Sequence, residues 1–324
     1  MFKSKTNIIP ENILKCAIGI LACIFLIYSL SIFDGYDNLL LSFKKGDFFH
    51  WQSLFLVILL IPLNWYLESV KWKILLENVE PISLQASLYS VLTGLTTGIF
   101  SPGRLGEFAG RVLLLEPGNR KKASALWAVG SITMTVAVCL FGIPALFFFI
   151  QSGREINLLQ NPSVTHYLTI VLFSVFFLIL LYFFIPFISN FLSGKFSNYL
   201  SSIFNLLKNF SFYRLLSILS LSLFRYLVFC LQFWIMLYFF GVELSFREAC
   251  IGIFTAYLFI TFLPSVFLTE AAVKSSVFLL VLSVFSGNSV AIISTSMLLW
   301  IVNLAIPTLL GVFLLAKKRG EMNK

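Results

Sequence analysis

Two pairs of acidic and basic side chains, each four residues apart, lie beside apolar segments that a proline interrupts. The first pair is Glu107 and Arg111, and the second is Glu270 and Lys274. On a helix, residues at this spacing are neighbours, so each carboxylate can orient a cation or exchange a proton. Ionisable groups in apolar surroundings are costly and are usually functional. Both pairs are therefore candidates for binding an anionic ligand.

The first pair belongs to residues 94–111, which read GLTTGIFSPGRLGEFAGR. Their apolar run breaks at Pro102 and Gly103 and restarts as a charged helix that contains Arg104 and Gly106. Free backbone N–H groups at a helix start bind anions, and a guanidinium group suits a phosphate. An ordinary loop whose arginines meet lipid headgroups is the alternative interpretation.

A third candidate, Arg225, lies near the centre of a long apolar run. Ser222 and Gln232 fall close to it at helical spacing. Such a polar stripe should face the interior of a helix bundle and not the lipid. We expect Glu270 or Glu107 to be its counter-ion, and a purely structural buried pair is the alternative.

The second broken segment repeats the pattern of the first, because a phenylalanine, a proline, a glutamate and a basic residue follow at nearly the same spacing. Paired broken helices of opposite orientation form the midplane sites of many transporters. The predicted substrate-binding residues come from both breaks and from the span between them: Pro102, Gly103, Arg104, Gly106, Glu107, Arg111, Arg225, Pro264, Glu270 and Lys274.

The composition places these residues in a membrane. Hydrophobic residues make up 59% of the chain and charged residues 11%, and mean hydropathy is +0.95. In soluble domains, roughly a quarter of the residues are charged. We therefore predict an all-α, multi-pass helical membrane protein with two broken or re-entrant helical hairpins, which could form an inverted repeat. Since no long polar segment occurs, residues 1–324 are expected to form a single integral membrane domain without a soluble domain.

Six apolar runs are long enough to span a bilayer, and they cover residues 13–33, 51–68, 123–150, 165–188, 215–240 and 290–316. Residues 84–100 and 246–285 are interrupted, and each segment is expected to enter and leave the membrane on one side. Two complete crossings would give the same charge distribution, so this alternative stays open. Residues 68–83 are expected to be a charged connection, with Trp72 as an interfacial anchor.

The net charge of +9 comes from Lys and Arg in short connections between apolar runs. This distribution is an orientation signal. We expect a protein of the cytoplasmic (inner) membrane with both termini in the cytoplasm and without a nucleic-acid partner. The expected partners are membrane lipids with anionic headgroups. Association with a second copy or with a partner enzyme is left open.

Residues for cofactor or metal chemistry are sparse. The five cysteines are scattered through apolar runs, and the two histidines have no partner within helical reach. A phosphate-binding loop of the nucleotide-hydrolase type is also missing from the sequence. We therefore expect no cofactor, no metal and no catalytic residue, and an enzyme is disfavoured.

The segment SPGRLGEFAGRV resembles the Pro-Gly-Arg-Leu-Gly-Glu signature of the bacterial flippase-like transmembrane family, which includes the membrane halves of lysylphosphatidylglycerol synthases. The second motif reads PSVFLTE, with Thr269 where this family usually has arginine, which leaves open whether the second half binds the same ligand. Family members that make lysyl lipids carry an additional soluble transferase domain. The chain ends at Lys324 without one, so aminoacyl transfer by this chain alone is not expected.

The resemblance and the charge pattern together predict a lipid flippase or lipid-binding, transporter-like protein. Its ligand would be an anionic lipid, either a phospholipid or a polyprenyl-phosphate conjugate. The alternative is a membrane-embedded transferase, or an accessory subunit of one, that acts on a lipid-linked substrate. An interaction protein without a substrate is the third interpretation.

Overall fold

The computed structural model describes residues 51–98, 106–152, 162–192, 198–263 and 267–322. Within these ranges, the regular elements are eleven α-helices: α1 (Trp51–Leu76), α2 (Leu84–Gly98), α3 (Gly106–Val112), α4 (Arg120–Ser152), α5 (Pro162–Phe183), α6 (Ile185–Leu192), α7 (Asn198–Leu207), α8 (Phe212–Phe239), α9 (Phe246–Phe262), α10 (Phe267–Leu282) and α11 (Ser289–Met322). The predicted span at residues 13–33 lies outside the described residues.

Four of these helices are long and apolar enough to cross a membrane: α1, α4, α8 and the part of α11 over Ser289–Val312. The helices α5 and α6 meet at a bend of 52° and together can form a fifth span. A bilayer core of about 30 Å requires roughly 20 apolar residues in a helix. The prediction of an all-α, multi-pass membrane protein is confirmed.

The first broken segment forms a compact hairpin of α2 and α3, called the first hairpin below. The two helices run antiparallel, because Thr97 Oγ1 donates to the Gly106 carbonyl (2.8 Å) at one end and Ser90 Oγ donates to the Arg111 carbonyl (2.7 Å) at the other. With 15 residues, α2 is about 22 Å long, which is too short to cross the bilayer core.

Glycines allow other helices to approach α2 closely from two directions. A Cβ atom on Gly110 of α3 would lie 2.0 Å from Thr97 Oγ1 and 2.8 Å from the Gly94 Cα atom. On α11, a Cβ atom on Gly311 would lie 2.1 Å from Thr96 Oγ1. The same α11 also packs against α10. The first hairpin is therefore held by direct backbone contact with its neighbours.

The second broken segment forms the second hairpin, which consists of α9 and α10. Its helices are also antiparallel, because Gly252 lies beside Leu282 while Tyr257 and Phe278 meet edge to face at 5.2 Å between ring centroids. The helices have 17 and 16 residues. Each is shorter than the span that a bilayer core requires.

The helix α1 extends further than the sequence suggested. Residues 68–76 continue it as helix, so the prediction of a charged connection from residue 68 is wrong over this part. Neither glycine nor proline interrupts the chain here, so the helix has no reason to stop. Trp72 is 0% exposed and donates from Nε1 to Ser90 Oγ (2.9 Å). The prediction of an interfacial anchor at Trp72 is therefore wrong.

Two large hydrophobic clusters form most of the core of the described helices. One surrounds Phe233, Tyr226 and Phe278, and it joins α4, α8, α9, α10 and α11. The other surrounds Trp72 and Ile218, and it joins α1, α2, α4 and α8. Residues of both clusters line one cavity, so the charged groups described next lie where the two clusters meet.

Candidate functional site

A cavity of about 360 Å³ lies between the two clusters and is lined by residues of both hairpins. This volume falls within the roughly 300–1,000 Å³ of typical small-molecule sites. Ionisable side chains of α1, α3, α8 and α10 line it: Glu68, Lys71, Glu107, Arg111, Arg225 and Lys274. Four cations against two carboxylates leave two positive charges in excess.

Glu68 on α1 is the centre of the charged lining. Its Oε2 atom lies 2.6 Å from Arg225 Nη1 and 2.8 Å from Lys71 Nζ, and its Oε1 atom lies 2.8 Å from Arg111 Nη1. The side chain is only 5% exposed. A buried carboxylate requires partners because desolvation of an isolated charge is costly. Glu68 therefore ties α1, α3 and α8 together through one carboxylate.

Arg111 is fully engaged by protein groups. Its guanidinium pairs with Glu107 as well as with Glu68, as the spacing of four residues predicted. It also lies 5.5 Å from the ring centroid of Trp72, and its side chain is 3% exposed. Trp72 and Ser90 extend this contact, because the Ser90 hydroxyl accepts from Trp72 and donates to the Arg111 carbonyl. The arrangement leaves Arg111 little surface for a ligand.

Arg225 is oriented by Glu68 and not by the counter-ions proposed from the sequence. The expectation that Glu270 or Glu107 would pair with it is wrong. Its partner lies on α1, 157 positions earlier in the chain, and the sequence does not show that α8 packs against α1. Its side chain is 17% exposed and lines the cavity. Arg225 is therefore more accessible to a ligand than Arg111.

Lys274 brings the second hairpin to the same cavity. It pairs with Glu270 at 2.7 Å, which matches the predicted spacing of four residues. The lysine side chain is 27% exposed, whereas the Glu270 side chain is buried. A lysine with this much exposed surface can reorient toward a ligand while it stays near its carboxylate.

The structure places the ten predicted site residues in three groups. Glu107, Arg111, Arg225 and Lys274 line the cavity, and Glu270 reaches it through Lys274. Gly106 lies at the tip of the first hairpin, where its carbonyl accepts from Thr97. The remaining four lie outside the described residues: Pro102, Gly103, Arg104 and Pro264. For all ten residues, a role in substrate binding stays a prediction.

Three polar lining residues of α1 were not selected as site residues from the sequence. Asn64, Glu68 and Lys71 follow one another at spacings of four and three residues, which places them on one helix face. The sequence does contain this spacing. It is recognised only if the predicted helix continues past Glu68, the first charged residue of the run. The buried pair of Asn64 and Gln232, joined at 3.0 Å, continues the same contact between α1 and α8.

Comparison with known proteins adds one match. The model of the protein family described as lysylphosphatidylglycerol synthase TM region matches residues 12–311. No curated protein and no solved structure matches the chain. The matched region includes both hairpins and every charged residue that lines the cavity.

Proposed function

The chain belongs to the lysylphosphatidylglycerol synthase transmembrane region family, and we propose that its cavity binds the phosphate-bearing headgroup of an anionic lipid and moves it between the two leaflets. Membership of this family supports lipid handling by a multi-pass membrane protein. The choice of an anionic headgroup, and of movement over mere binding, is our own.

The excess of positive charge in the cavity carries the proposal. Four cations line it against two carboxylates, and inclusion of Glu270, which pairs with Lys274, still leaves one positive charge in excess. Charges interact more strongly in a protein interior than in water. An entering phosphate would therefore gain from the cationic lining, and guanidinium and ammonium groups are its usual partners.

The contacts of each cation support a division of roles. Lys71 and Arg111 have 4% and 3% of their side chains exposed, and both are held by Glu68. We assign them to positioning. Arg225 on α8 and Lys274 on α10 have more accessible surface, and we assign them to phosphate binding. When a phosphate takes Arg225, Glu68 keeps its other two partners.

The size of the cavity fits a headgroup better than a whole lipid. About 360 Å³ accommodates a phosphate with a small polar group. The acyl chains would remain in the bilayer during transfer. Because both hairpins contribute to the lining, a shift of one hairpin relative to the other would change the side from which the cavity is reached.

Orientation and location are part of the proposal. We place the protein in the cytoplasmic membrane, as a single integral domain with both termini in the cytoplasm. The distribution of Lys and Arg between the apolar runs supports this placement.

A transferase or transferase-accessory subunit is the second candidate. The observation that favours it is Glu107, a carboxylate that lines the cavity. Its pairing with Arg111 speaks against this candidate, because the carboxylate is already engaged by a protein cation.

Reconstitution in liposomes tests the proposal. Purified protein would be inserted into vesicles with fluorescent phosphatidylglycerol, and a membrane-impermeant reductant would report the outer-leaflet fraction over time. We expect Arg225→Gln and Lys274→Gln each to slow lipid movement about tenfold or more, since a hydrogen bond to a charged group contributes about 1.5–3 kcal/mol. Arg247→Gln is the matched control, because Arg247 is exposed and does not line the cavity.

The outcomes separate the candidates. Movement that equals that of protein-free vesicles, with helicity retained, refutes transport by this chain. Binding of phosphatidylglycerol without movement then places the transferase-accessory candidate first. Equal slowing by all three variants would show that the cavity cations have no special part.

A further inference from the structure

Glu270 in the second hairpin is a buried carboxylate that shares a cation with the ligand. Its side chain is 7% exposed, and its Oε1 atom lies 2.7 Å from Lys274 Nζ. The cation stabilises the charged form, and so does the place of Glu270 in the first turn of α10, where the helix dipole favours negative charge. Because Lys274 is also assigned to the phosphate, the ligand and a charged Glu270 compete for one ammonium group.

The other carboxylates that line the cavity are less affected by a ligand. Glu68 pairs with three cations, and a ligand that takes Arg225 would leave it the other two. Glu107 pairs with Arg111, which is 3% exposed and is assigned to positioning. A ligand therefore disturbs these ion pairs less than it disturbs the ion pair of the second hairpin.

The helices that pack most closely against α10 bring few titratable groups to Glu270. They are α9 and α11, and over Ser289–Val312 α11 carries no charged or titratable residue. The titratable residues of α9 are Arg247, Glu248, Cys250 and Tyr257. Because α9 and α10 are antiparallel, the first three lie beside the far end of α10, and Tyr257 packs on Phe278, about two turns beyond Glu270. Across the cavity lie the charged groups of α1, α3 and α8 described above.

Arrival of an anionic ligand changes the surroundings of Glu270 in two ways. The phosphate draws Lys274 toward itself, and it adds a negative charge to the same cavity. Both changes disfavour the charged form of a buried carboxylate, which can become neutral by taking a proton from water. Water reaches this pair at Lys274, whose side chain is 27% exposed.

We propose, on the basis of the anionic-lipid function given above, that binding of the ligand is coupled to uptake of one proton by Glu270. As Lys274 turns to the phosphate, a proton from water binds a carboxylate oxygen of Glu270. When the ligand leaves, the ammonium group returns and the proton goes back to water. One negative and one positive charge enter and leave together, so the net charge of the cavity does not change. Movement of the lipid anion is then accompanied by movement of a proton.

Proton uptake can be measured directly on the full-length protein in detergent. Calorimetric titration with dihexanoyl phosphatidylglycerol, repeated in buffers of different ionisation enthalpy, gives the number of protons taken up per bound ligand. We expect the wild-type protein to take up protons, and Glu270→Gln to bind the ligand without this uptake. Glu243→Gln is the matched control and should keep the wild-type uptake, because Glu243 is exposed and does not line the cavity.

The pH dependence of the affinity gives the sign of the coupling. Because the liganded state holds more protons, the affinity should rise as the pH falls, by up to about tenfold per pH unit. Glu270→Gln resembles the protonated form, so at neutral pH it should bind at least as tightly as wild type and lose this dependence. Lys274→Gln should also take up fewer protons per bound ligand, since the ligand can no longer withdraw that cation.

A pH gradient tests whether the proton moves with the lipid. In proteoliposomes with fluorescent phosphatidylglycerol, an imposed gradient should enrich the labelled lipid in the leaflet that faces the alkaline side. Protein-free vesicles and vesicles with Glu270→Gln should show no enrichment. Enrichment by the variant equal to that by wild type would contradict a role for this carboxylate.

The outcomes separate the coupling from the proposed function. Binding of phosphatidylglycerol to the wild-type protein without proton uptake overturns the coupling, and so does an uptake that persists in Glu270→Gln. Anionic-lipid binding stands in both cases. If the wild-type protein binds this lipid no more tightly than dihexanoyl phosphatidylcholine and Arg225→Gln changes nothing, the proposed function itself fails.

Discussion

Each of the two hairpins carries a glutamate and a basic residue at the same spacing, but the two pairs act differently. In the first hairpin, Arg111 is 3% exposed and is shared between Glu107 and Glu68. In the second hairpin, Lys274 is 27% exposed beside Glu270. A shared spacing therefore does not imply a shared role. The first pair connects helices, and the second offers a cation to the cavity.

The two hairpins also differ in how their helices pack. The first hairpin closes by backbone contact at Gly110, whereas Gly252 of the second hairpin faces the tip of the Leu282 side chain. Side-chain tips can move aside and backbone cannot. The first hairpin is thus the rigid one of the pair, and the second has room to adjust.

Removal of the central carboxylate is the strongest test of this difference. Glu68→Gln leaves three cations without their common partner, and we expect it to lower the free energy of unfolding by about 3–5 kcal/mol. Glu270→Gln should cost about 1 kcal/mol or less, because Lys274 can turn toward water. Thermal unfolding in detergent, followed by circular dichroism, measures both, with exposed Glu243→Gln as the control. Equal losses for the two variants would contradict the comparison.

Glycine substitutions test the packing. A Cβ atom at Gly110 would lie 2.6 Å from the Thr93 carbonyl oxygen, so Gly110→Ala should lower the free energy of unfolding by about 1–3 kcal/mol. Gly252→Ala meets Leu282 Cδ2 at 2.5 Å, which can be relieved by a rotation, and alanine favours helix by about 1 kcal/mol. We expect little change there. The same unfolding assay would refute the distinction if Gly252→Ala were the more harmful variant.

Helix caps give the smallest expected effect. Both hairpins begin with a serine whose side chain accepts from the backbone three residues later, Ser83 from Ala86 and Ser245 from Glu248. Only at Ser245 does a glutamate return the contact, because Glu248 accepts from the Ser245 N–H at 2.9 Å. Loss of a cap costs about 0.5–2 kcal/mol.

We therefore expect Ser245→Ala to exceed Ser83→Ala by a few tenths of a kcal/mol, since it breaks a reciprocal pair. Unfolding of the two single variants and of Glu248→Ala measures the difference. If Ser245→Ala lowers the free energy of unfolding as much in the Glu248→Ala background as in the wild type, the two residues are not coupled and the expectation fails.

The sequence predicted the helices well because bilayer thickness imposes a strong pattern on hydropathy. The run at residues 123–150 lies within α4, and that at residues 215–240 nearly coincides with α8. The paired charges of both hairpins were also found, since helical spacing is local. These features depend only on neighbours along the chain.

Contacts between helices that are far apart in the sequence could not be predicted. The partner of Arg225 is Glu68, and the two are separated by 157 positions. Both proposed counter-ions were reasonable carboxylates, but charge alone does not say which helices pack together. Lys71 was missed for a different reason, because a helix was ended at the first charge although buried charges continue it.

The close contact at Gly311 has a mechanical consequence. It seats α11 against α2 without room for a methyl group, while the same α11 packs against α10 of the second hairpin. Because α11 contacts both hairpins, it couples the position of one hairpin to that of the other. Any displacement of the second hairpin that moves α11 is therefore transmitted to α2 of the first hairpin.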